Sequence, residues 1–398
     1  MRILLISCVF PPEPIVSSTL SKDIALGLRD KGHKVTVVHP KPTRPNGFKF
    51  GETPVYEGIE QVTTDSFVCP QSSLRGRYKE NISFGKECAK FIDKHSDDFD
   101  VIYFNAWPLF SQKAIAKKAV EYKIPYIAHI QDIYPDSLSN KLPGIFGKLL
   151  YRLLLPIDKI ILTKAKAVLV ISENMKNILA ETRNIDKSKF TVAQNWQEET
   201  PFIEYQDQNK SAVHEKFTFM YLGNNGPIAG VDFLIDCFGK ADIMGARLVV
   251  AGSGSMTEKC KEQAKQYDEK QIEFLHVLNG MVPETQAIAD VMLLPVKKGA
   301  AMSSIPSKLP AYMFSAKPII GSLDKESDTA KAINDSGCGW VIGPENEQMM
   351  ITTMKDVARI DVSVLKQKGA MGFEYAMKHF SKGENLKKII TLIENMGK

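Results

Sequence analysis

Residues 303–330, SSIPSKLPAYMFSAKPIIGSLDKESDTA, hold the side chains best suited to chemistry. The spacing predicts a loop, a helix, a short strand, a loop and a second helix. Pro306 suits a first helical turn, with Ser304 placed to cap it. Leu309, Tyr312 and Met313 recur at helical spacing, and Pro318 stops the helix because proline disfavours helical geometry in the residue before it. Ser307 and Lys308 then stand at a loop–helix junction, and Glu326 stands at the next one. A lysine beside free backbone N–H groups suits a diphosphate, and a carboxylate one strand later suits ribose hydroxyls. Taken singly, Lys308 reads as a solvated lysine and Glu326 as a charge at a helix N-terminus. Together, at the C-terminal edge of a parallel sheet, they point to a nucleotide site.

Other constellations lie after strands too. Gly223, Asn224, Asn225, Gly226, Pro227 and Gly230 connect a strand to a helix, so backbone can approach a phosphate closely there. The spacing is not that of GxGxxG, and a flexible turn is the plainer alternative. Gly252-Ser253-Gly254 could admit a base or ribose, or simply allow tight packing. His276-Val277 could offer backbone groups to a base edge, or be an exposed turn. His129-Ile130-Gln131-Asp132-Ile133-Tyr134-Pro135-Asp136 sets a histidine and two carboxylates at a strand end, groups that can orient a hydroxyl or take its proton. His129 could equally be buried and satisfied, and Asp136 a cap. Residues 141–166 mix Lys141, Lys148, Arg152, Lys159, Lys164 and Lys166 with Leu, Ile and Phe. That composition suits a helix in a membrane interface, or one covering a sheet with its lysines in water. No cluster has metal-ligand spacing, so a metal is not expected.

The elements that must position these groups alternate between strand and helix. Residues 2–10 form a near-continuous apolar run, a strand buried on both faces. A turn at Pro11-Pro12-Glu13-Pro14 leads to a helix capped at Ser17-Ser18-Thr19, and residues 35–39 form the next strand. Residues 40–58, with Lys41, Arg44 and Lys49, read as a loop over a cleft. Strands follow at 101–105, 125–130, 168–171 and 190–192, with helices near 80–95, 111–122 and 173–183. The polar stretch 194–216 reads as an interdomain linker. A second series follows, with strands at 217–222, 247–251, 272–275, 291–294, 319–320 and 340–342. The expected class is α/β, two Rossmann-like doubly wound parallel-sheet domains facing across a cleft. The expected divisions are 1–200, 201–380 and a C-terminal helix, 381–398, packing back on the first domain.

Composition narrows the class of function. The chain has 398 residues, 44% hydrophobic and 24% charged, with a net charge of +5. That charge is too small and dispersed to argue for nucleic acid. No 18-residue apolar segment predicts a membrane span. The opening reads as a first strand and not a signal peptide, and six unpaired-looking cysteines suit a cytoplasmic protein.

In order and spacing, FPPEP, GHKVTVV, QDIYPD, VISENM, YLGNNG, AGSGS, ADVMLLPV and SIPSKLPAYMFSAKPII resemble the GT-B-fold glycosyltransferases of family 4, especially the branch that builds bacterial surface polysaccharides. The resemblance implies a retaining transferase. Its first domain would hold a polyprenyl-diphosphate-linked acceptor saccharide, and its second a nucleotide-sugar donor, usually UDP-linked and carrying a hexose or (deoxy)aminosugar. By motif, Gly223, Asn225 and Gly226 would meet the diphosphate with Lys308 as its cation, and Pro306 and Ser307 beside it. Glu326 would hold the ribose, and His276, Val277, Gly252 and Gly254 would flank the base. The loop containing Ser17 would approach the phosphates, with His129 and Asp132 near the reacting centre. The chain departs from the family where two glutamates usually stand, at Ser303 and Ala311, and Val16-Ser17 replaces a glycine pair. The resemblance also implies a cytoplasmic enzyme without a tightly bound cofactor, touching the inner membrane face through 141–166. Two rival functions are a UDP-sugar 2-epimerase of the same fold and a non-catalytic nucleotide-binding subunit.

Overall fold

A computed structural model describes the chain except residues 45–47, 70–72, 106–108, 140–141, 143, 209–215, 268–270, 279, 300, 302–304 and 398. Two units divide it. Unit 1 comprises residues 1–195 and 385–398, and unit 2 comprises 196–384.

Unit 1 is built on seven parallel strands: β1 (Arg2–Ser7), β2 (Lys34–Pro40), β3 (Ile59–Thr64), β4 (Val101–Asn105), β5 (Tyr126–Ile130), β6 (Ala167–Val170) and β7 (Phe190–Val192). Their order is β3-β2-β1-β4-β5-β6-β7. The central strands are apolar almost throughout because helices cover both faces of the sheet. Every residue of β4 and β5 is buried. The helices are α1 (Val16–Asp30), α2 (Leu74–Lys94), α3 (Leu109–Glu121), α4 (Asp136–Ser139), α5 (Gly144–Lys164) and α6 (Glu173–Arg183).

Unit 2 opens with α7 (Thr200–Gln208) and repeats the plan with six parallel strands: β8 (Phe217–Leu222), β9 (Ala246–Ala251), β10 (Ile272–Leu275), β11 (Val291–Pro295), β12 (Ile319–Ser322) and β13 (Gly339–Ile342). Their order is β10-β9-β8-β11-β12-β13. The helices between and after them are α8 (Val231–Ala241), α9 (Thr257–Ala264), α10 (Val282–Ala287), α11 (Lys308–Phe314), α12 (Asp328–Ser336), α13 (Glu347–Val357) and α14 (Val362–His379), while α15 (Lys382–Glu394) carries the chain back into unit 1 from Asn385. Strand side chains alternate between two cores. Phe219, Tyr221, Leu248 and Val250 enter one, and Met220, Val249, Met292 and Leu294 the other. In each sheet the strand order reverses once, between β1 and β4 and between β8 and β11. Such switch points leave crevices at the C-terminal strand ends.

Five sequence expectations are corrected. The loop assigned to 40–58 is followed by a strand, β3, whose polar IEQVTT reflects its place at the sheet edge. The stretch read as a linker contains α7, whose Phe202 is buried against Phe314 with ring centroids 5.9 Å apart. Helix α11 begins at Lys308 instead of Pro306, with Ser307 at the N-cap and no side-chain cap bond; the expected cap, Ser304, lies outside the described residues. At the start of α1 the capping position is Ile15, so Ser17-Ser18-Thr19 fall inside the helix. Arg44, expected over a cleft, donates to Glu80 at 3.1 Å.

Candidate functional site

The second sheet opens at its switch point, and Pro295 explains why. β8 pairs with β11 only at Phe219 and Met220, whereas its ladder with β9 runs on to Leu222. Gly223 N–H donates to Ala251 C=O on β9, so the polar groups of Leu222, one residue earlier, face β11. Continuing that register would set Leu222 C=O against the nitrogen of Pro295, which carries no hydrogen. A hydroxyl from α11 fills the vacancy. Leu222 N–H donates to the Tyr312 oxygen at 2.9 Å, and the Tyr312 hydroxyl donates to Leu222 C=O at 2.8 Å.

Lys308 lies four residues before Tyr312 on the same helix, hence on the same face. Its stem crosses Gly223, where a Cβ would sit 2.0 Å from Lys308 Cε. Its ammonium lies 4.8 Å from the centroid of the Tyr221 ring, and the Tyr221 hydroxyl donates to Asn224 C=O at 2.7 Å. Burial pushes the Lys308 pKa down to about 8. Among the described residues no carboxylate pairs with it. A half-buried cation without a counter-ion is poised for an anionic ligand.

A pocket of about 330 Å³ opens beside this lysine. Asn224, Gly226, Pro227, Ile228 and Ala229 form one wall, Leu294, Pro295 and Val296 the other, with Pro306 and Lys308 between. The glycine loop then enters α8 through Gly230, whose left-handed φ of 65° a side chain would strain. The pocket therefore combines a cation, the N-terminal approach to a helix, and apolar walls, a set suited to a phosphorylated ligand.

The sequence-derived donor residues fall into three groups. Gly226, Pro306 and Lys308 line the pocket, and Gly223 lies under the lysine. Asn225, Gly252 and Gly254 support the loop from behind. Asn225 is fully buried, its N–H donates to Ser253 C=O at 3.1 Å, and its side chain donates to Thr257 Oγ1 at 3.3 Å. A Cβ on Gly252 would meet Gly223 O at 2.4 Å, and one on Gly254 would meet Asn224 Oδ1 at the same distance. The remainder lie outside the pocket lining. Ser307 is exposed at the α11 N-cap, Glu326 is exposed between β12 and α12, and His276 is exposed beyond the edge strand β10, with Val277 half-buried after it. Tyr221 and Tyr312 were not singled out as site residues from sequence; the available signal was that Tyr312 shares a helical face with Lys308.

In unit 1, Ser17 Oγ donates to Gln131 Oε1 at 3.0 Å, and Gln131 donates to Asn195 at 3.3 Å. His129 is 2% exposed, with Nδ1 2.5 Å from the Tyr103 hydroxyl. Burial pushes its pKa down to about 4, so it is neutral at neutral pH. Asp132 is exposed and accepts from Ser137 Oγ at 2.9 Å. Below this loop the buried Arg183 donates to Asp136 at 2.6 Å, Tyr134 C=O at 3.0 Å and Asp158 at 2.7 Å. Burial pushes the Asp158 carboxyl up to about 6, against the pull of that guanidinium.

Two doubly wound α/β units, the second with an anion-ready switch point, define the class of two-domain Rossmann-like GT-B proteins. Residues 18–196 match the model of "Glycosyltransferase Family 4", and residues 216–359 match that of "Glycosyl transferases group 1". The curated relative "Probable glycosyltransferase WbjE" of Pseudomonas aeruginosa is 22% identical over 257 residues, 60% of this chain and 61% of that protein. The chain thus spans about three fifths of the curated relative's length. Among solved structures, Anabaena Alr3699/HepE in complex with UDP superposes with a TM-score of 0.69 at 15% identity, covering 99% of this chain and all of that one. Sucrose-phosphate synthase of Thermosynechococcus elongatus gives 0.74 at 13% identity, covering 100% of this chain and 99% of that one. The chain belongs to the GT-B family 4 glycosyltransferases.

Proposed function

We propose that this protein transfers a hexose or (deoxy)aminosugar, with retention, from a UDP-sugar to a polyprenyl-diphosphate-linked saccharide in the assembly of a surface polysaccharide. The observation that carries the reading is Lys308, a half-buried cation without a carboxylate partner among the described residues, at the wall of the switch-point pocket. The family supports sugar transfer, and the Anabaena relative, solved with UDP and with UDP-glucose, supports the choice of nucleotide. Unit 2 holds the donor and unit 1 the acceptor. As the bond between sugar C1 and the phosphate oxygen breaks, its electron pair passes to the diphosphate, and Lys308 stabilises the charge that grows there. The departing phosphate takes the proton of the attacking acceptor hydroxyl as the new C1–O bond forms on the same face. In unit 1 the exposed Asp132 orients that hydroxyl. His129, expected from sequence at the reacting centre, is buried and neutral against the fully buried Tyr103, so it supports the strand end and does not touch the acceptor.

A lipid-linked acceptor brings the protein to the cytoplasmic membrane face, and α5 suits that surface. Among the described residues no helix is long and apolar enough to cross a membrane. Ile145, Phe146, Leu149, Leu153 and Ile160 are exposed on α5, with Lys148, Arg152 and Lys159 beside them. Its acidic residue, Asp158, is buried on the opposite side. An apolar stripe bordered by cations matches an anionic lipid interface.

The central test is UDP binding to wild type and Lys308→Ala by titration calorimetry on either side of pH 8. Only the protonated lysine attracts the diphosphate. Wild-type affinity should therefore fall as pH rises through the free protein's lysine pKa of about 8. Lys308→Ala should bind about tenfold more weakly and lose that component of the pH dependence. Equal affinity and an equal profile for the two proteins would remove Lys308 from the site.

A further inference from the structure

We infer that Tyr312 and Tyr221 are positioning residues for the donor: their hydroxyls hold the β8–β11 crevice open and aim the Lys308 side chain across Gly223. This inference rests on the functional reading above. Each hydroxyl bonds to backbone, one at the last residue of β8 and the other in the glycine loop that follows it. Tyr312 uses both its donor and its acceptor capacity on Leu222, whose C=O loses its natural partner because Pro295 has no N–H. Tyr221 bonds the C=O of Asn224, a pocket-lining residue of the glycine loop, and its ring lies under the Lys308 ammonium. The two rings enter opposite cores of the sheet, Tyr221 one and Tyr312 the other. The loop end of β8 is thereby held from both faces. Without the Tyr312 hydroxyl, Leu222 carries two unpaired backbone groups at a half-buried position. Such groups are costly to leave unsatisfied. The strand end then shifts toward water or toward β11, and either movement displaces Gly223 from beneath the lysine.

The test is UDP titration calorimetry across pH 8 on wild type, Tyr312→Phe, Tyr221→Phe, Lys308→Ala and the Tyr312→Phe/Lys308→Ala double variant, with circular dichroism to establish folding. Tyr312→Phe should keep its fold and bind UDP about tenfold more weakly. Its loss of affinity with rising pH should move to higher pH, because a displaced Lys308 regains water. In the Lys308→Ala background the same change should cost less than about threefold, since the hydroxyl acts through the lysine. Wild-type affinity and pH profile in Tyr312→Phe overturn the inference, as does an undiminished effect in the double variant. If Tyr312→Phe does not fold, Tyr221→Phe decides: wild-type binding there overturns it, and weakened binding with the shifted profile supports it. A wild-type chain that binds no UDP brings down the functional reading and this inference together. Normal wild-type binding with silent tyrosine variants brings down this inference alone.

Discussion

A single methyl group distinguishes two uses of glycine in unit 2. At Gly223 an added Cβ meets the stem of Lys308, with Cε at 2.0 Å and Cδ at 2.9 Å. The stem is flexible, so it gives way. Gly223 also has a φ of +158°, which side chains rarely adopt, so Gly223→Ala is expected to cost some stability as well as lower UDP affinity about tenfold. At Gly252 an added Cβ meets Gly223 O at 2.4 Å, on a backbone with φ of +104°. Neither the carbonyl nor the dihedral can yield cheaply, so Gly252→Ala should destabilise unit 2 by about 1–3 kcal/mol. Thermal unfolding and UDP titration of both variants check this. A Gly223→Ala protein that binds UDP as wild type does, or a Gly252→Ala protein that melts no earlier than wild type, refutes the assignment. Lys308 and the glycine loop were legible because their chemistry is carried by residue type and position after a strand. Tyr312 was not. A tyrosine at helical spacing among Leu309 and Met313 reads as core, and nothing local reveals that its hydroxyl reaches a backbone ninety positions away in the chain.

At the scale of elements, α5 joins two surfaces. Leu154, Ile161 and Leu162 face the core, while Leu149 (55% exposed), Leu153 (62%) and Ile160 (62%) face outward. Replacing these three outward residues by serine should abolish co-sedimentation with vesicles containing anionic phospholipid and leave the unfolding temperature unchanged, because none contributes to the core. Binding of wild type should weaken with added salt, as expected for lysines and arginines near a charged surface. Undiminished vesicle binding by the triple serine variant would exclude α5 as the lipid contact. Such a face could be anticipated from its leucines and lysines, but which side meets the sheet is settled only by packing. Strands with near-continuous apolar runs were legible in the same way, and β4, α6 and β7 match the sequence reading residue for residue. β3 escaped because an edge strand need bury only part of its side chains. α7 escaped because its polar sequence buries only Phe202, too little to give a helical stripe.

At the scale of the whole chain, unit 1 is discontinuous, since it is completed by residues 385–398 after the chain has traversed unit 2. Four observations show what this returning segment contributes to unit 1. Asn385 accepts from Gln194 N–H at 2.9 Å. Leu386 and Ile390 pack over Gly27, where a Cβ would lie 2.8 Å from Ile390. Glu394 lies 3.0 Å from His33 Nε2. Ile389, Ile390 and Ile393 are all buried. Each such side chain is worth about 1.5–3 kcal/mol of transfer free energy. Their combined loss is therefore comparable with the about 5–15 kcal/mol that holds a typical domain folded. A chain ending at Glu384 should show unit 1 unfolding at a markedly lower temperature and cleaved early by protease. The residues lining the switch-point pocket belong to unit 2 and are untouched by this truncation. UDP affinity should consequently survive it, and UDP should still raise the melting temperature of unit 2 by mass action. Calorimetry of the truncated chain with and without UDP separates the two effects. If unit 1 melts as in the full chain, the returning segment is dispensable. If UDP no longer binds, the pocket depends on more than unit 2 and its assignment to that unit alone is wrong.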